Sequence, residues 1–174
     1  MSNTIWNAPN TITIIRFVLS PVFFLFLVYG YTKPALILFL IVALTDFADG
    51  WVARSTSQTT KFGEVLDPLA DKFMIFLAIV GLSIKFDFPY WAVPLIIARD
   101  IVSIGGSFVY FTKIRGKWKA RILGKATTFF QILTVLLYML NLQFKFAMLI
   151  LTIILSFSTA IAYIIKGYYA LTRQ

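Results

Sequence analysis

Asp46–Lys72, reading DFADGWVARSTSQTTKFGEVLDPLADK, holds Asp46, Asp49, Glu64, Asp67 and Asp71, five of the seven acidic residues in the chain. Long apolar runs flank it on both sides. These carboxylates therefore lie either where a membrane span meets water or inside hydrocarbon, where a charge costs about 2.5–3.5 kcal/mol or more. Nothing cheap explains the clustering, and the rest of the chain reads as a scaffold around it.

Outward from that stretch, hydrophobic residues make up 60% of the 174 positions and charged residues 13%, with a mean hydropathy of +0.86. Ordinary soluble domains carry about 25% charged residues. The composition predicts an all-α integral membrane protein, with room for about six spans of about 20 residues each. No repeat or Gly/Ser-rich or Pro-rich linker divides it, so residues 1–174 read as one transmembrane domain. Cysteine and histidine are both absent, which excludes disulfides, thiol nucleophiles, imidazole bases and the usual zinc ligands. Any metal must be held by oxygen. The first apolar run lacks a basic leader and a small-residue cleavage site, and is read as a retained span.

In chain order, residues 1–10 form a short interfacial lead-in, with Trp6 suited to the membrane surface and Asn10 placed to cap the helix after Pro9. A first span runs to about Gly30, with a kink expected at Pro21. Its Arg16 either snorkels to the near interface or faces an anionic ligand. A turn at Tyr31–Pro34 leads into a second span from about Ala35 to Arg54, and the polar loop Ser55–Phe62 follows. The third span starts near Glu64, with Pro68 in or near its first turn, and fades at Lys85. Asp87–Pro89 returns the chain to a fourth span over about Tyr90–Phe111. Within it, Gly105, Gly106 and Ser107 read as a close helix-packing surface. The loop Lys113–Lys125 carries six basic residues; a fifth span follows to Leu140 and a sixth covers about Phe146–Tyr169.

Charge predicts orientation. Arg54 and Lys61, then Lys113, Arg115, Lys117, Lys119 and Arg121, then Lys166 and Arg173 fall on one side, against Lys33, Lys85 and Lys145 on the other. The positive-inside rule places both termini and the acidic stretch on the cytoplasmic side of a cytoplasmic (inner) membrane. No nucleic-acid partner is expected.

On a helix, Asp46, Asp49, Gly50 and Ala53 fall at i, i+3, i+4 and i+7 and share a face. Gly63, Asp67 and Asp71 are spaced by four on the next. Two antiparallel helices thus point four carboxylates at one small volume, with Gly50 and Ala53 leaving room for a ligand. Such a cluster repels itself unless its pKa values rise or cations neutralise it. Hard oxygen ligands favour Mg²⁺, Mn²⁺ or Ca²⁺, and two divalent ions balance four aspartates. Paired metals are the usual apparatus of phosphoryl transfer. Arg54 adds a planar fork for a phosphate, so the parts suggest a diphosphate substrate. With no histidine, a carboxylate must serve as base, and Asp71 is the candidate.

Asp46-x-x-Asp49-Gly50-x-x-Ala53-Arg54, eight residues, then Gly63-x-x-x-Asp67-x-x-x-Asp71 resembles in full the signature of the CDP-alcohol phosphatidyltransferase family, eight positions within 26 residues. The resemblance implies six membrane helices and transfer of a phosphatidyl group from CDP-diacylglycerol to an alcohol, releasing CMP. It also implies that Asp46, Asp49, Asp67 and Asp71 hold two divalent cations, Mg²⁺ or Mn²⁺, with Asp71 as general base. Gly50, Ala53, Arg54 and Gly63 would hold the CDP-lipid, helped by Thr60 and Asn10. Related proteins are homodimers whose site opens to the cytoplasm.

For the acceptor, Asn10-Thr11-Ile12-Thr13 with Arg16 and Pro21, the run LDPLADK, and Gly124-Lys125 followed by Gln131 look like the phosphatidylglycerophosphate synthase branch, which uses glycerol 3-phosphate. That branch continues Ala-Arg-Glu in the fourth span with a second arginine two turns later, whereas this chain has Ala98-Arg99-Asp100 and then Ser107. Asp100 and Thr45 are similar to the cardiolipin synthases of the same family, whose acceptor is phosphatidylglycerol. Arg99, Arg115, Arg121 and Lys125 are the expected acceptor contacts, with glycerol 3-phosphate first and phosphatidylglycerol as the alternative. A small cation transporter also places acids inside a helical bundle, but here they sit in one cluster and Arg54 and Lys72 oppose cation passage.

Overall fold

The computed structural model describes residues 8–56, 61–113 and 120–172, with side chains described for 11, 13–45, 69–105, 124–162 and 164–165. These residues form six α-helices: α1 Ala8–Val28, α2 Thr32–Thr56, α3 Lys61–Lys85, α4 Ala92–Lys113, α5 Ala120–Met139 and α6 Lys145–Thr172. Helices suit an apolar solvent because each closes its own backbone hydrogen bonds.

The helices outrun the expected spans at several ends. Thr32–Pro34 form the first turn of α2 rather than a separate turn, since Pro34 sits where a helix has no N–H to satisfy. The first helix begins at Ala8, so Asn10 lies inside its first turn instead of capping it. On α3, which begins at Lys61, Pro68 is the eighth residue rather than a first-turn residue. At Ala120 the fifth helix is already under way, which makes Arg121 and Lys125 helical rather than loop residues. One physical reason covers these differences. Hydropathy reports where a helix leaves an apolar medium, and a helix continues into polar surroundings as long as its residues tolerate helical backbone.

Two turns are closed by the same device. After α1, Tyr31 N–H donates to the Phe26 carbonyl (2.8 Å) and Gly30 N–H to that of Leu27 (3.2 Å), with Gly30 at φ +83°. This is a Schellman cap. The Phe26 and Tyr31 rings, centroids 6.3 Å apart, supply its apolar contact. After α5, Leu142 N–H bonds the Leu137 carbonyl (3.0 Å) and Asn141 N–H that of Tyr138 (3.1 Å), with Asn141 at φ 50°.

The chain forms two compact units, Met1–Phe86 and Asp87–Gln174. In the first, α1 packs on both α3 and α2. Its core pairs Phe23 and Leu27 of α1 with Ala35, Phe39 and Val42 of α2 and with Ala78, Ile79 and Leu82 of α3, all buried. Gly81 lets α1 and α3 approach: a Cβ there would lie 2.6 Å from Leu27 Cδ2. Pro21 leaves α1 unbroken. In the second unit α6 packs on both α5 and α4. Phe88 meets Tyr138 edge-on at 4.8 Å, and Lys145 Nζ lies 3.6 Å from Asp87 Oδ2 and donates to Asn141 Oδ1 at 2.6 Å.

Large apolar side chains also cover the outward faces, among them Val18 and Leu25 on α1, Ile37 and Leu44 on α2, and Ile154 and Phe157 on α6. Faces this apolar are expected against lipid rather than water. Among the described residues one stretch, Lys145–Ala162 with mean hydropathy 2.0, is long and apolar enough by itself to cross a bilayer. Thr13–Val28 and Thr32–Thr45 are shorter apolar segments.

Candidate active site

The signature residues divide between two helices of one unit. Asp46, Asp49, Gly50, Ala53 and Arg54 lie on the C-terminal half of α2, and Gly63, Asp67 and Asp71 on the N-terminal half of α3. The expected helical spacing therefore holds for both sets. The helix that packs on both α2 and α3 is α1, an arrangement that hydropathy does not reveal. The side chains of Asp46, Asp49, Ala53, Arg54 and Asp67, like that of Asn10, lie outside the described residues, as do Thr60 and Arg115 altogether. The same holds for the Arg121 side chain on α5.

Asp71 is described, and Arg16 is among its partners. Arg16 Nη1 donates to Asp71 Oδ1 as an ion pair between α1 and α3, with side-chain exposures of 3% for the arginine and 26% for the aspartate. Arg16 is thus buried and paired with Asp71. One turn on, Ser20 Oγ donates to the Arg16 carbonyl at 2.7 Å. Sequence reasoning flagged Arg16 without finding its partner, because a separation of 55 residues leaves no local signal.

The acceptor candidates fall in the second unit. Lys125 is exposed on α5. Arg99 is 3% exposed and its guanidinium is taken up internally. Nη1 donates to Asp100 Oδ1 (2.6 Å), Nε to Thr159 Oγ1 (3.3 Å) and Nη2 to the Gly124 carbonyl (3.5 Å). Gln131 Nε2 reaches Asp100 Oδ1 and Oδ2 at 3.3 and 3.2 Å. The amide must present its nitrogen there, since an ionised carboxylate only accepts. Hydroxyls continue the polar seam, with Thr134 and Thr152 at 2.8 Å. Gln131 stood out only by its place after Gly124-Lys125; its bond to Asp100 needed the fold.

A profile of the CDP-alcohol phosphatidyltransferase family matches residues 6–159, which takes in both carboxylate helices and most of each unit. The chain belongs to that family. This phosphatidyltransferase is 36% identical over 144 residues to the probable phosphatidylglycerophosphate synthase of Mycobacterium tuberculosis (strain H37Rv), covering 79% of this chain and 68% of that one. It is 34% identical over 160 residues to the CDP-diacylglycerol–glycerol-3-phosphate 3-phosphatidyltransferase of Bacillus subtilis (strain 168), covering 80% of each. A probable cardiolipin synthase (CMP-forming) of Drosophila melanogaster is 36% identical over 106 residues, covering 60% of this chain and 33% of its own. Family members are membrane-associated enzymes that act on a CDP-alcohol and an alcohol acceptor and generally depend on divalent metal. The donor set of this phosphatidyltransferase fits such a metal: four aspartates at helical spacing on α2 and α3, in a chain without cysteine or histidine.

Proposed function

We propose that this enzyme transfers the phosphatidyl group of CDP-diacylglycerol to glycerol 3-phosphate, giving phosphatidylglycerophosphate and CMP. The observation that carries the reading is the complete aspartate signature in a chain that matches the Bacillus subtilis CDP-diacylglycerol–glycerol-3-phosphate 3-phosphatidyltransferase over four fifths of its length. The cardiolipin synthase likeness covers less of either partner.

In this reading all six helices cross the cytoplasmic (inner) membrane as one domain, with termini and site on the cytoplasmic side and a homodimer as the working form. The apolar outward faces and the asymmetry of basic residues support it. Asp46, Asp49, Asp67 and Asp71 would hold two divalent cations, Mg²⁺ or Mn²⁺, which when bound neutralise the diphosphate oxygens. Gly50, Ala53, Arg54 and Gly63, with Asn10 and Thr60, bind the CDP moiety. Asp71 takes the proton of the attacking glycerol hydroxyl as its oxygen bonds to the lipid-bearing phosphorus. The bond between that phosphorus and the bridging oxygen breaks, and CMP leaves carrying the bridging oxygen. Arg16 holds the Asp71 carboxylate in place for that transfer. Lys125, Arg121 and Arg115 receive the acceptor phosphate, while the Arg99 guanidinium is engaged by Asp100, Thr159 and the Gly124 carbonyl.

The test is turnover of detergent-purified protein with CDP-diacylglycerol and Mg²⁺ or Mn²⁺, read as CMP release. Release with glycerol 3-phosphate, abolished by EDTA, is the expected result. Release with phosphatidylglycerol alone overturns the acceptor in favour of cardiolipin synthesis.

A further inference from the structure

Among the described residues of the second unit, a buried polar cluster lies where three largely apolar helices meet at Arg99 and Asp100. A buried ion pair is a weak source of stability, because apolar side chains of the same volume usually serve as well or better. Arg99 and Asp100 are also neighbours on one helix, so their own bond joins no helices. What the pair does is present fixed donors and acceptors to α5 and α6. Asp100 takes the Gln131 amide on α5, and Arg99 takes Thr159 on α6 and the Gly124 carbonyl on α5.

The two contacts on α5 are seven residues apart and lie on one face of that helix. Holding a helix at two points two turns apart sets its rotation about its own axis as well as its height. Gly124 immediately precedes Lys125, a cation that is exposed. A lysine is a point charge on a flexible stem, and the backbone at its base is the part the protein can position.

We propose that Asp100 and Gln131 are positioning residues that, through Arg99, set the start of α5 so that Lys125 meets the phosphate of the acceptor. The inference rests on the glycerol 3-phosphate reading above. A displacement of 1 Å can cost about 10²-fold when a group must meet a reacting substrate, so loosening the grip is read in the use of acceptor and not of CDP-lipid.

The test is a double-mutant cycle on detergent-purified protein with Gln131→Met, Lys125→Met and the pair, measuring KM for glycerol 3-phosphate and for CDP-diacylglycerol together with the thermal midpoint. Gln131→Met is expected to raise KM for glycerol 3-phosphate about tenfold and to leave that for CDP-diacylglycerol within about twofold. In the Lys125→Met background the same change should add less than about twofold, because the group it positions is already gone. Asp100→Asn should act in the same direction; if it fails to fold, Gln131→Met carries the test. Equal effects of Gln131→Met in both backgrounds, or a lowered midpoint with both KM values unchanged, overturn the proposal while leaving the acceptor intact. Wild-type turnover with phosphatidylglycerol but not glycerol 3-phosphate overturns the acceptor and this inference with it.

Discussion

Arg16 of α1 and Asp71 of α3 are joined as an ion pair across 55 residues of sequence, with the guanidinium at 3% exposure and the carboxylate at 26%. The pair ties the last aspartate of the signature to the helix that packs on both α2 and α3. Burying the arginine more deeply than the aspartate keeps the carboxylate the more accessible partner. Removing Arg16 takes one counter-charge from that carboxylate, so Arg16→Ala should cost about 1–3 kcal/mol, less than a fully buried pair because Asp71 is part-exposed. Arg16→Ala with Asp71→Asn should recover part of that loss in detergent unfolding. A double variant no more stable than Arg16→Ala would show that the pair is not what holds the two helices there.

Asp71→Asn keeps the size of the side chain and removes its basicity. Turnover should fall by about 10²–10⁴-fold, while CDP-diacylglycerol binding, followed by equilibrium titration with Mg²⁺ present, should stay within a few-fold. Near-normal turnover in this variant would remove the proton-acceptor role.

At Gly81 the sign of a substitution should depend on its neighbour. Alanine normally gains about 1 kcal/mol over glycine inside a helix, yet here the added Cβ would sit 2.6 Å from Leu27 Cδ2, and Leu27 is fully buried. Gly81→Ala should therefore destabilise by about 1–2 kcal/mol in the wild type and stabilise in a Leu27→Ala background. Thermal midpoints of the four proteins check this; the same sign in both backgrounds would mean that α1 and α3 do not meet at Gly81.

Asn141 adopts φ 50° at the end of α5 and accepts the Lys145 ammonium at 2.6 Å. Asn141→Gly keeps the left-handed backbone at little cost, whereas Asn141→Ala should lose about 1 kcal/mol. Asp87→Asn beside it should change stability by less than about 0.5 kcal/mol, since Asp87 is 94% exposed and its contact with Lys145 is a surface pair. Denaturant midpoints that rank Asp87→Asn as the worst of the three would contradict this account.

The family and the class of enzyme were legible before any coordinates. Aspartates at i, i+3 on one helix and i, i+4 on the next, without histidine or cysteine, already imply hard-metal chemistry on a phosphate. The family profile over residues 6–159 agrees with the signature. The six helices were legible too, since long apolar runs separated by short polar segments match the length of helices. Helix ends were misread at Ala8, Thr32, Lys61 and Ala120, because hydropathy marks the edge of an apolar medium and not the last hydrogen bond.

What the sequence by itself determined, then, is the element content and the chemistry of the donor set, both of which follow from local spacing and residue type. Only the tertiary structure decided the partners. Arg16 pairs with Asp71, Arg99 turns inward to Asp100, Thr159 and Gly124, and Gln131 reaches Asp100. The physical reason is that a charge inside apolar surroundings must find its counter-charge wherever the packing of helices brings one. That meeting depends on which helix faces which, and no local pattern records it.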